Sequence, residues 1–131
     1  MDHNQIVHDV FAAFAERDLE RLAGHFSPEA EIVGGTPYAE KRTFPGSEGL
    51  RALFDHIDRE FERVDAFIRS VLEVDETRVL VEGSIDYRRR LGGGLGHALY
   101  WVFDFTDGLV TRVESFDEKD AAYAAAGAAL R

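Results

Sequence analysis

Tyr38, His97, Trp101, Glu114 and Ser115 are the side chains of this sequence best suited to moving a proton or holding a reacting oxygen. His97 follows Gly92-Gly93-Gly94. An imidazole at a cavity mouth there is a general acid or base, since the free group exchanges its proton near neutral pH; the alternative is an exposed histidine at a strand end. Glu114, enclosed among aromatic residues, would hold its proton more tightly, as proton transfer near neutrality requires. The alternative pairs Glu114 with Arg112 or Arg88 at the surface, which leaves Ser115 as the inward residue. Tyr38 can donate a phenolic hydrogen bond to a developing oxyanion, or pack on the surface. Trp101 is the only tryptophan. As a cavity wall it would stack on a flat ring and donate one hydrogen bond; as plain core it does neither. His25 and His56 read as surface groups on helices. No His and carboxylate spacing suits a metal, so no metal is expected.

The elements that must position these groups follow from periodicity. Ile6, Val7, Val10, Phe11 and Phe14 have the one-face spacing of an amphipathic helix. Asp18 can cap a second helix carrying Leu19, Leu22 and Phe26, which Ser27-Pro28 ends. Ala30–Val33 reads as a short strand, and residues 34–46 as a long loop of the kind that is usually functional or mobile. Ser47 can cap a third helix, whose apolar face is Leu50, Leu53, Phe54, Ile57 and Phe61. Strands are expected over 64–75, 78–89, 97–106 and 109–116. The last two are joined at Asp107-Gly108, a strong hairpin signal. Asp117 then caps an Ala-rich helix with Gly127 inside it.

Alternation along the strands assigns Val79, Val81, Gly83, Ile85 and Tyr87 to one face, and His97, Leu99, Trp101, Phe103 and Phe105 to the same side. The expected cavity is therefore apolar and aromatic, with Phe14, Phe26, Tyr87, Leu99, Trp101 and Phe103 in its wall. On the last strand a bulge leaves the choice between Glu114 and Ser115 open.

Composition bounds the remaining possibilities. The chain has 131 residues, 45% of them hydrophobic, with 10 Phe and no Cys. That is enough for one packed domain over residues 1–131 without disulfide or thiolate staples. A net charge of −10 opposes a nucleic-acid or anionic-membrane surface, since both need a cationic face. Arg88-Arg89-Arg90 is the local exception, read as a solvated strand end or as a clamp for an acidic group. The N-terminus lacks the pattern of a secretory signal, and a cytoplasmic location is expected.

Three segments carry a family likeness. They are Arg17-Asp18-Leu19-Glu20-Arg21-Leu22 with Phe26-Ser27-Pro28-Glu29-Ala30-Glu31, then Pro45-Gly46-Ser47-Glu48-Gly49-Leu50, and finally the closing hairpin from Asp107 to Asp117. In this order they resemble the nuclear transport factor two-like superfamily, within it the SnoaL-like polyketide cyclase and ketosteroid isomerase-like group. The resemblance implies an α+β cone-shaped barrel, in which a strongly curved antiparallel sheet wraps around helices enclosing a cavity. It also implies a homodimer through the convex sheet face.

Matching positions depart from the better-known catalysts of that group. The base of ketosteroid isomerases falls on Gly34 or Gly35, their oxyanion-hole acid on Trp101, and their helix-one tyrosine near Val10. Of the epoxide hydrolase-like triad, Gly83 and Ile85 stand in place of two members, and only Glu114 or Ser115 remains. The expectation is thus a cofactor-independent, SnoaL-like proton-transfer enzyme acting on a small hydrophobic, cyclic molecule. Glu114 or His97 would be the base, and Tyr38 or Trp101 would hold the oxygen. The alternative is a non-catalytic binding protein of the same fold.

Overall fold

The computed structural model describes residues 1–34 and 42–129. Tyr38, Gly35 and most of the expected long loop lie outside the described residues.

Helix α1 (His3–Ala15) opens on a capping box: the Asp2 carboxylate accepts from the Gln5 amide, and the Gln5 side chain accepts from the Asp2 amide, both at 2.8 Å. Asp18 caps α2 (Leu19–Ala23) by accepting from the Arg21 amide, as its position in the sequence predicts. Strand β1 (Phe26–Gly34) starts well before Ala30. Ser27-Pro28 is tolerated there because, among the described residues, β2 pairs only with residues 31 to 34 and leaves the early half of β1 as an edge.

Strand β2 (Arg42–Pro45) occupies the end of the segment read as loop. Helix α3 (Gly46–Glu60) opens one residue ahead of Ser47, behind Pro45, which offers no capping side chain. It ends at Glu60, so Phe61 begins β3 (Phe61–Glu73) instead of closing the helical face. Strands β4 (Arg78–Arg89), β5 (Gly94–Thr106) and β6 (Leu109–Phe116) follow. Asp107 and Gly108 both have positive φ, the backbone a two-residue primed hairpin turn demands. Glu118, not Asp117, precedes α4 (Lys119–Ala126), and Gly127 ends that helix in the left-handed conformation.

The sheet order is β2-β1-β6-β5-β4-β3. Every pair is antiparallel except β1 with β6. The sheet curves but does not close. α3 packs against both edge strands, β2 and β3, and so bridges the gap.

Alternation divides the core. On the concave face Ile6, Val7, Val10 and Ala13 of α1 pack on Val79, Val81, Phe103 and Phe105. On the opposite face Leu80, Tyr100 and Val102 bury the Ala122, Tyr123 and Ala126 side of α4. Among the described residues, no helix is long and apolar enough to cross a membrane.

Candidate functional site

The curve of the sheet and the helices over it leave a cavity of about 160 Å³. Helix α1 contributes Phe11 and Phe14, and β1 contributes Phe26 and Ile32. The sheet wall is built from Ile85 and Tyr87 on β4 and Leu99, Trp101 and Phe103 on β5. The Trp101 ring meets Phe11 edge to face at 4.9 Å and 85°. Burial, assisted by the Asp117 charge, pushes the Tyr87 phenol up to about 12, so it is a neutral donor at physiological pH.

A bulge on β6 decides between Glu114 and Ser115. Phe105 pairs with Val110 but Asp104 pairs with Arg112, so Thr111 is the extra residue. Side-chain parity shifts by one there, and Val113 and Ser115 turn into the cavity. Glu114 is thereby placed on the other face, where Arg112 donates to it at 2.8 Å. The expected cavity base is therefore not in the cavity.

His97 also stays out of the lining. Its partner on β4 is Ile85, beyond the end of β6, whose last pair is Tyr100 with Phe116. With no β6 beside it, the ring tilts over Tyr87 (5.9 Å), and Nδ1 donates to the Ala98 carbonyl at 2.8 Å. Arg88 and Arg89 end β4 away from the cavity, and Arg90, in the turn that follows, donates to the Asp58 carbonyl at 2.5 Å.

Two cavity groups escaped the sequence reading. His56, expected at the surface, lines the cavity three positions after Leu53 on the same helical face. Arg42 lines it because β2 turns Arg42 and Phe44 to the same side. Both approach one ring: the Arg42 guanidinium lies 4.9 Å from the Phe44 centroid, and the His56 ring 6.3 Å. His25 is not a surface group either; it is largely buried against Asp9, with Nε2 2.6 Å from the carboxylate.

Among the described residues, the polar groups of the cavity are thus Arg42, His56 and Ser115 beside β1, Tyr87 on β4 and the indole N–H of Trp101 on β5. No carboxylate lines it among the described residues. Nor, among those residues, do three His, Asp or Glu side chains converge as a metal site would need.

An unclosed, curved six-stranded sheet with helices over an apolar cavity is the architecture of nuclear transport factor two-like proteins. The chain belongs to the SnoaL-like domain family, whose model matches residues 7–113. Solved structures share the fold at low identity. TerC, co-crystallised with polyporic acid, is 22% identical, with 89% of this chain and 92% of that one covered and a TM-score of 0.78. A protein of ketosteroid isomerase-like fold from Catenulispora acidiphila, in complex with trimethylamine, is 15% identical over 98% of this chain and 96% of that one, TM-score 0.76. A proposed polyketide cyclase from Pseudomonas putida KT2440 is 14% identical over 96% and 98%, TM-score 0.70. No curated protein sequence matches the chain significantly.

Proposed function

We propose that this protein is a small-molecule enzyme performing cofactor-independent proton transfer, an isomerisation, cyclisation or hydration, on a hydrophobic cyclic substrate held in the cavity. The observation that carries this reading is an apolar pocket of about 160 Å³ whose polar groups, among the described residues, gather mainly at one end. His56 is the imidazole there and would serve as the general acid–base group of the reaction. Ser115 and Arg42 would hold the oxygen on which charge develops, with Tyr87 as a neutral donor further along the wall. Trp101, Phe11 and Phe14 would orient the ring and exclude water. Phe67, 52% exposed on the face opposite the cavity, supports a homodimer through that face.

The test is deuterium incorporation next to the carbonyl of small cyclic ketones, followed by proton NMR in deuterated buffer. An enzyme accelerates exchange at least about a hundredfold over buffer, and His56→Gln removes the acceleration while ring binding persists. Exchange at the buffer rate despite binding selects the second reading, a non-catalytic binding protein. The lack of a carboxylate among the described lining residues favours that reading.

A further inference from the structure

The chain carries a net charge of −10, yet the one formally charged side chain among the described lining residues is a cation, Arg42. Its position is set by the ladder. Arg42 stands opposite Gly34 on β1, and Val33 stands opposite Glu114 on β6, so Gly34 and Ser115 are neighbours in the next row. A Cβ added to Gly34 would come within 3.0 Å of the Ser115 Oγ. Gly34 has an ordinary backbone conformation, so what its lack of a side chain provides here is room. The space between a guanidinium and a hydroxyl is left open, with His56 closing it from α3.

Among the described residues no carboxylate pairs with Arg42, and its guanidinium rests near the Phe44 ring. Stacking on an aromatic face leaves the edge of the guanidinium, with its donors, free for a ligand. A planar fork of donors beside a hydroxyl suits a carboxylate, which accepts two parallel hydrogen bonds from the fork and a third from the serine. The apolar remainder sets the other half of the ligand, since a cavity of about 150 Å³ takes one benzene-sized ring.

We infer that the cavity of this protein selects a single-ring carboxylic acid, bound as its anion with the carboxylate between Arg42 and Ser115 and the ring against Trp101 and Phe11. The inference rests on the reading of the cavity as a small-molecule site, and it specifies the ligand's charge and where that charge sits.

Benzoate and benzamide share a ring and a planar head and differ in charge, so they make the probe pair. Calorimetric titration at neutral pH should show benzoate binding about ten- to a hundredfold more tightly than benzamide. Arg42→Gln, on an exposed residue of an edge strand, should bring the two to parity by weakening benzoate alone. Arg42→Lys, which keeps the charge but loses the fork, should retain part of the preference. Equal binding of the two compounds by the unaltered protein would overturn the inference and leave the small-molecule reading standing. A preference surviving intact in Arg42→Gln would overturn the assignment to Arg42. Failure of both compounds to bind would overturn the small-molecule reading and the inference with it.

Discussion

Trp101 stands directly opposite Ser115 across the β5–β6 ladder, so the only indole of the chain and the one hydroxyl side chain of β6 that lines the cavity share its wall. The indole touches Phe11 on one side and faces the ligand space on another. Its emission is therefore a direct report on cavity filling. A bound ring should quench or shift Trp101 fluorescence, and Phe11→Ala should shift it to the red by admitting water. The same substitution removes an edge-to-face pair and leaves a void, which costs about 2 to 3 kcal/mol in a urea titration.

Gly83 is required by its neighbours. A Cβ there would lie 1.9 Å from the Phe67 carbonyl oxygen and 3.1 Å from Trp101 Cζ3. The first contact is with backbone and cannot be relieved by a rotamer change. Gly83→Ala should lower stability by about 2 to 3 kcal/mol and perturb Trp101 emission without any change in charge. An unchanged urea midpoint would show that β3 can move away from β4 at little cost.

Tyr87 sets a stability limit on the alkaline side. Its folded pKa, pushed up to about 12, lies above the ordinary phenol value of 10.0 because burial disfavours the phenolate. The unfolded chain therefore loses its proton first, and stability falls as pH rises from about 10 towards 12, by about 1.4 kcal/mol per pH unit at most. Tyr87→Phe should flatten this part of the profile. A near-ultraviolet titration in which every tyrosine ionises together would contradict the assignment.

Asp9 acts at the opposite end of the pH scale. Hydrogen bonds from Arg21 first, and from His25, hold its carboxyl down to about 2 against an ordinary value of 3.8. A lowered pKa contributes stability above the unfolded value and loses it as pH falls through the folded one. Asp9→Asn should lower the melting temperature at neutral pH, with the gap to the parent protein closing as pH falls from about 4 to 2. A gap that persists unchanged at the acid end would assign the effect to packing.

How much of this was legible in the sequence depended on whether the information was local. The Asp107-Gly108 turn carries its own backbone requirement, and Leu99, Trp101 and Phe103 alternate strictly, so that hairpin and its inward face are readable from a dozen residues. The Asp18 cap is equally local. β2 was not readable: Arg42–Pro45 is four residues long, and it becomes a strand through pairing with Glu31–Gly34. Arg42 as a cavity residue was hidden with it. His56 sits at the border of the helical face marked by Leu53 and Ile57, where periodicity alone does not separate inside from outside. Glu114 and Ser115 exchange roles through one extra residue at Thr111, and only the actual ladder shows where that residue falls.

The parallel pairing of β1 with β6 brings Glu31 beside Arg112, joining the first quarter of the chain to its last. Such a contact is costly in chain entropy, because most of the chain must be drawn into a loop to make it. Arg42 and Ser115 belong to the strands on either side of β1, so no nascent or truncated chain ending before β6 carries the pair. Recognition at that end of the cavity is thus a property of the finished fold, and a ligand bound there draws the chain towards completion without acting on its intermediates.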